Sequence, residues 1–354
     1  MRKKVGIIFG GKSGEYAVSL KSAYNVIKAI DKNKYELTLI GINTSGQWKL
    51  YNGDIENIIN DTWQNDESCV NMNLSLFNDP VIDDIDIFFP VLHGTFGEDG
   101  TIQGLFEMLN KPYVGCAVTA SAVCMDKIIS KHICKSVGIP ITDYCEFDEE
   151  SYKKDTVDII NKCCNMGFPL FVKPANLGSS VGITKACDNT SLLKAIDEAL
   201  KYDNRIIIEK AVDGAEIEVA VLGNEDAKAS VCGMIKPCKE FYDYEAKYLS
   251  GNKSETIIPA PIDDEISEKI RKLAVKAFKA HNCSGLSRVD FFLEKNTNRI
   301  ILNELNTLPG FTDISMYAML WAQSGISYVD LIDDLIALGF DRYDKRSRLS
   351  FKKL

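Results

Sequence analysis

The chain has 354 residues, 45% of them hydrophobic and 26% charged, with a formal net charge of −9. That length exceeds the reach of one hydrophobic core and predicts two or three domains, while the composition is that of an ordinary globular protein. The acidic balance excludes a general nucleic-acid binder, whose affinity needs a basic stripe along the phosphates.

The N-terminal MRKKVGIIFGG follows its charges with an apolar run too short for a secretory signal. No stretch approaches the roughly 18 apolar residues of a membrane helix, so the sequence predicts a cytoplasmic protein with no membrane partner. Residues 5–9 read as a buried strand, 10–13 as a turn and 19–30 as an amphipathic helix. Residues 35–42 read as a second strand and 85–92 as a third, which ends at His93. This alternation predicts a parallel sheet with its loops at the carboxyl ends of the strands. The Asn/Asp-rich stretch 51–84 reads as an irregular excursion.

A helix over 121–137 opens the next unit, and a strand over 168–173 leads into a small-residue loop, 174–182. A helix over 192–200 and a strand over 205–209 follow. The last unit holds a strand at 216–222, a long polar loop at 236–261, and helices at 265–281 and 328–338. The basic end, RYDKRSRLSFKKL, reads as a solvated tail. The eleven cysteines form no CxxC pair and no Cys/His zinc spacing, so they read as reduced thiols acting as small hydrophobes. His132 and His281 match no motif and read as surface groups.

The stretch SRVDFFLEKNTNRIILNELNTLPG, residues 287–310, carries the strongest chemical signal. Two apolar runs flank a polar, turn-prone segment, which predicts a hairpin with Asp290 and Glu304 on neighbouring strands. Asn306 lies two residues on, on the face of Glu304, because strand side chains alternate. Two carboxylates and a carboxamide make a hard-oxygen site suited to Mg²⁺ bridging substrate phosphates. Lys173 precedes the loop of Gly178, Ser179, Ser180 and Gly182, where small residues let backbone N–H groups approach an anion. Gly10–Gly11 also resembles a phosphate turn, but its spacing is not that of a dinucleotide fingerprint, and Glu15 would repel a pyrophosphate. An acid at the head of a helix can instead hold an amine.

Seven segments in order resemble the D-alanine–D-alanine ligases of the ATP-grasp superfamily, along essentially the whole chain. They are GGKSGEYAVS, FPVLHGTFGEDGTIQG, CMDK, KPANLGSSVGITK, EFYDYEAKY, SRVDFF and NELNTLPGFTDIS. The resemblance implies an α/β fold with α+β elements in three domains: an N-terminal parallel-sheet domain over 1–120, and domains over 121–210 and 211–354 that sandwich ATP. Residues 236–261 would be the lid. It implies that ATP phosphorylates one D-alanine to an acylphosphate, which the amine of a second D-alanine attacks, for peptidoglycan precursor synthesis. Two Mg²⁺ or Mn²⁺ ions and a homodimer come with it.

Site roles are implied in the same way. Glu15 would hold the ammonium of the first D-alanine, with His93 nearby, and Ser179 and Tyr248 would anchor the closed lid. Lys127, Lys173 and Lys247 would meet the nucleotide phosphates beside Ser180, while Glu209, Lys210, Glu216 and Asn303 would line the ATP side with Glu304. Arg288 and the Gly310 amide would stabilise the oxyanion of the tetrahedral intermediate, and Ser315 would take the carboxylate of the second amino acid. Asp290, Glu304 and Asn306 would be the metal ligands. Tyr16-Ala17 after Glu15 resembles the D-alanine–D-serine ligases, whereas FYDYEAKY in the lid resembles the D-alanine–D-alanine type; the lid lies against the second substrate and favours D-alanine.

Overall fold

The computed structural model describes residues 2–72, 79–178, 181–236 and 255–350. The first part runs β1 (Lys3–Gly10), α1 (Tyr16–Ala29), β2 (Tyr35–Ile42), β3 (Trp48–Tyr51), α2 (Glu56–Ile59), β4 (Val70–Asn71), α3 (Pro80–Asp84), β5 (Ile87–Val91) and α4 (Thr101–Met108). Strands β2, β1 and β5 are parallel, and β3 and β4 extend the sheet antiparallel at one edge. In β1, Val5, Ile7 and Phe9 enter one apolar cluster and Ile8 another, so the central strand is buried on both faces. With β2 and β5 on opposite sides of β1, the chain reverses there, and the loops after β1 and β5 open into one crevice.

The sheet is therefore not purely parallel, and the described residues of the stretch 51–84, which are 51–72 and 79–84, hold short elements tied to the core rather than an irregular excursion. Tyr51, Ile58 and Trp63 are buried, and the Trp63 ring meets Phe9 edge-on at 5.0 Å. Asp54, Asp66 and Asp79 hold tight turns and a helix start in this stretch, their carboxylates accepting from the N–H groups of Glu56, Ser68 and Val81.

The middle part holds α5 (Val118–Met125), α6 (Lys127–Ser136), β6 (Tyr144–Asp148), α7 (Glu149–Asn165), β7 (Leu170–Pro174), β8 (Thr184–Ala186), α8 (Asn189–Ala199) and β9 (Arg205–Lys210). Its four strands form an antiparallel sheet in the order β6-β9-β7-β8. The single helix expected over 121–137 is two. Asp126 breaks it by turning extended and capping the second helix, its carboxylate accepting from the N–H groups of Ile128 and Ile129. Arg205 holds the other oxygen of that carboxylate at 2.5 Å.

The last part contributes β10 (Gly214–Gly223), β11 (Lys228–Lys236), β12 (Glu255–Ile257), α9 (Asp264–Ala280), β13 (Gly285–Glu294), β14 (Ile300–Asn306), α10 (Met316–Gln323) and α11 (Tyr328–Ser347). The strands form an antiparallel sheet, β12-β11-β10-β13-β14. Its apolar face carries Ile217, Val219, Val289, Phe291 and Leu305 against α9, which presents Ile270, Ala274, Ala277 and Phe278 at helical spacing. Most of the expected lid, 236–261, lies outside the described residues, but 255–257 pairs with β11 as an edge strand.

Residues 344–350 of the basic end are exposed, as a solvated tail would be, but Arg342 and Tyr343 are half-buried. Helix α11 runs to Ser347, and Arg342 stacks on Tyr113 at 4.1 Å while donating to the carbonyls of Tyr113 and Gly115. One apolar cluster joins β1 and β5 to Leu331, Ile332, Leu335 and Ile336 of α11 and to Tyr317 and Leu320 of α10. All ten described cysteines are free thiols, six of them buried.

Candidate active site

Strand pairing builds the polar face of the last sheet. Glu218 lies opposite Asp290 and Ala220 opposite Arg288 across β10 and β13. Arg288 lies opposite Asn306 and Asp290 opposite Glu304 across β13 and β14. With side chains alternating, Glu216, Glu218, Arg288, Asp290, Glu304 and Asn306 share one face. A bulge between Asp290 and Phe291 leaves Asn303 unpaired, so the consecutive residues Asn303 and Glu304 both line the cavity beside the sheet.

That cavity is lined by Glu15, His93, Glu98, Lys127, Gly178, Arg288, Asn303, Glu304, Asn306 and Gly310, drawn from all three parts of the chain. Arg288 grips Asp290 with two hydrogen bonds, Nε to Oδ1 at 2.8 Å and Nη2 to Oδ2 at 2.7 Å, and its Nε is 3.0 Å from Glu218. Burial opposes the charge on Arg288, but Asp290 and then Glu218 hold its pKa well above the ordinary value. Asn306 donates to Asp290 Oδ2 at 2.9 Å. Asp290, Glu304 and Asn306 share one face of the hairpin, and two carboxylates with a carboxamide make a donor set that fits Mg²⁺ or Mn²⁺. Carboxylate oxygens of Glu216, Glu218 and Asp290 also lie within 4.8 Å of one another.

The crevice of the first sheet supplies the other wall. Glu15 precedes α1, and its carboxylate fits between two glycines. A Cβ on Gly94, whose φ is +73°, would come within 2.6 Å of Glu15 Oε2, and one on Gly178 within 3.4 Å. His93 is buried, with Nδ1 3.0 Å from the Leu308 carbonyl and Nε2 3.0 Å from Ser22 Oγ. A carbonyl can only accept, so Nδ1 carries the proton. Phe311 N–H donates to the same Ser22 oxygen. His93 and Ser22 thus brace the loop that holds Gly310, and Gly310 itself faces Ser315 Oγ. Glu98 Oε1 is 3.7 Å from His93 Nδ1. Burial and the charge of Glu15 push Glu98 up to about 7 against the opposing pull of His93. Burial disfavours the charge on His93, yet Glu98 and Glu15 outweigh it and raise its pKa.

Lys127 begins α6 and donates to the Leu177 carbonyl, next to the Gly-Ser loop; burial lowers its pKa. Lys173 meets Glu209 at 2.6 Å, and Lys131 meets the same carboxylate at 2.8 Å. Burial works against the Glu209 charge, but Lys131 and then Lys173 outweigh it and hold the carboxyl down to about 2. Lys210 is not brought to this cluster: it follows Glu209 on β9, points to the other face and is exposed. Ser179, Ser180, Lys247 and Tyr248 lie outside the described residues.

Family models for the D-ala D-ala ligase N-terminus and C-terminus match residues 4–116 and 133–337. The chain belongs to the D-alanine–D-alanine ligase family. It is 48% identical to the D-alanine–D-alanine ligase of Ruminiclostridium cellulolyticum, covering 98% of each chain. It is 47% identical to that of Thermoanaerobacter pseudethanolicus, over 98% of this chain and 99% of the relative. Among solved structures, the VanG D-Ala:D-Ser ligase of Enterococcus faecalis aligns with a TM-score of 0.87 at 38% identity, covering 96% of this chain and all of that one. The D-alanine–D-alanine ligase of Bacillus anthracis, solved with ATP, aligns at 0.75 and 28% identity, covering 97% and 99%. The mixed α/β architecture is that of ATP-grasp ligases, and the protein is an ATP-dependent ligase. No helix among the described residues is long and apolar enough to cross a membrane.

Several groups around the cavity carry no mark in the sequence motifs. Glu218 and Lys131 were legible only as repeats, one two residues after Glu216 on a strand and the other four after Lys127 on a helix. Glu98 lay within a matched motif without a role. His281 was misplaced: it is buried, with Nε2 2.9 Å from Ser130 Oγ and Nδ1 2.8 Å from the Ala277 carbonyl, so its polar atoms are satisfied inside. His132, by contrast, is exposed and pairs with Glu146. Tyr16 does not line the cavity; its hydroxyl donates to Asp61 and accepts from Trp63 Nε1.

Proposed function

We propose that the protein joins two D-alanines into D-alanyl-D-alanine for peptidoglycan precursors, with ATP passing to ADP and phosphate through an acylphosphate. The observation that carries this reading is the meeting, in one cavity, of Glu15 with the Arg288, Glu304 and Asn306 face of the last sheet. Glu15 offers a carboxylate to the ammonium of the first D-alanine, and Glu98 and His93 set the charge around it. Lys127 and Lys173 face the nucleotide phosphates, and Glu209, held ionised by two lysines, accepts hydrogen bonds on the nucleoside side. Asp290, Glu304 and Asn306 would hold two Mg²⁺ or Mn²⁺ ions, whose charge offsets that of the transferred phosphoryl group. Arg288 and the Gly310 N–H point at the place where negative charge develops when the second amine attacks. Ser315, beside Gly310, takes the carboxylate of the incoming amino acid. Lys247 and Tyr248, with Ser179, are assigned to closing the site by sequence alone. Family resemblance alone supports a homodimer, a cytoplasmic setting and the three-domain division at 120 and 210.

Likeness to a D-Ala:D-Ser ligase favours D-serine as a second reading for the incoming amino acid. Phosphate release with ATP, Mg²⁺ and D-alanine tests both, with the product identified by mass while D-serine or D-lactate competes. D-alanyl-D-alanine is the expected main product; no D-alanine-dependent release would sink the whole reading, and a D-alanyl-D-serine product would move it to the second.

A further inference from the structure

We propose that Glu218 is a positioning residue: it holds the Arg288 guanidinium at the cavity wall while Asp290 turns from Arg288 to the metal-nucleotide. The proposal rests on the reading of Asp290 as a metal ligand. As the residues stand, both Asp290 oxygens already have donors. Arg288 gives one N–H to each, and Asn306 adds a third to Oδ2. A bidentate guanidinium and a cation compete for the same two oxygens, so Asp290 cannot serve both fully. Arg288 has a second anchor ready. Glu218 lies directly across β10 from Asp290, its Oε2 3.0 Å from Arg288 Nε. Both acids are buried, at 5% and 1% exposure, where an uncompensated charge is costly. Arg288 therefore sits between two carboxylates on adjacent strands, and it can slacken its grip on one without losing a counter-charge.

Glu218 then acts in two ways through Arg288. It draws the guanidinium off Asp290, which frees that carboxylate, and it fixes the guanidinium where it meets the developing oxyanion. With glutamine at this position the guanidinium would settle wholly on Asp290, weakening metal binding and leaving the reacting group without its clamp. The coupling runs through Arg288, so removing Arg288 should erase it.

The test measures Mn²⁺ binding by the electron paramagnetic resonance of the free ion, with ADP present and no turnover, alongside kcat and KM. Glu218→Gln should weaken Mn²⁺ binding about tenfold and lower kcat by about 10–100-fold, the range seen for groups that orient metal ligands. Its KM for D-alanine and its thermal midpoint should stay near those of the wild type. Glu218→Asp, which keeps the charge, should recover part of both losses, and it serves as the test variant should the glutamine fail to fold. The Glu218→Gln/Arg288→Ala double variant should bind Mn²⁺ as Arg288→Ala does alone. Wild-type Mn²⁺ affinity in Glu218→Gln, or a loss that persists undiminished in the double variant, overturns the proposal. Asp290→Asn separates the two readings: if it binds Mn²⁺ as well as the wild type, the metal assignment itself falls.

Discussion

Glu98 gives the cavity a charge that changes near neutral pH. Glu98 is pushed up to about 7 by burial and by Glu15, so it is neutral below that pH and ionised above. His93, whose pKa Glu98 and Glu15 raise against the effect of burial, also gives up positive charge as pH climbs. Both changes make the surroundings of Glu15 more negative as pH rises, which favours a bound ammonium. KM for the first D-alanine should fall as pH rises through about 7, and Glu98→Gln should flatten that dependence. A profile unchanged by the substitution would remove Glu98 from the pocket's electrostatics. How much of the site could be read in advance varied by residue. Asp290, Glu304 and Asn306 were legible because a hairpin is local and its side chains alternate. Glu218 was not, because its pairing with Asp290 joins strands far apart in the chain. Nor was the bulge that turns both Asn303 and Glu304 to the cavity, since nothing in that apolar strand marks an extra residue.

Among the elements, α6 shows how a boundary one residue wide sets up a site. The run from 118 to 136 has continuous helical character, and only the capping habit of Asp126 divides it. The division places Lys127 in the first turn, a poor place for a cation against the helix dipole, where the Leu177 carbonyl gives its ammonium a partner. Asp126→Ala should cost about 1 kcal/mol of stability through the lost cap and raise KM for ATP more than it lowers kcat. Asp126→Asn keeps capping ability while losing the Arg205 pair, which is partly exposed and worth little. It should remain close to the wild type in both respects; if the two variants behave alike, the cap is not what holds Lys127. In the stretch 51–84 the elements were hidden for the opposite reason. Asn and Asp dominate the composition, while its structure depends on the few apolar residues, Tyr51, Ile58 and Trp63, that reach the core.

The whole molecule is tied together by its ends. The strand-helix alternation of the first part and the hairpin of the last were readable separately, but their shared core was not, because no periodicity records which apolar faces meet. Helix α11 covers the first sheet with Leu331, Ile332, Leu335 and Ile336, and Arg342 fastens it to the carbonyls of Tyr113 and Gly115. A chain ending at Gly325 should therefore lose more than a terminal helix. It should bind a hydrophobic dye, resist crystallisation-grade purification as a single species, and show no ATP turnover. A monodisperse, active product from that truncation would show that the helix is dispensable.

Arg342 and the apolar stripe of α11 also bear on the order in which the protein can be made. Helix α1 covers one face of the first sheet along β1, yet the strip of that face along β5 has to wait for α11, far later in the chain. Until α11 is made, those apolar side chains must wait in water or against a chaperone. The first part of the fold is therefore complete only once α11 has been made and has docked on it.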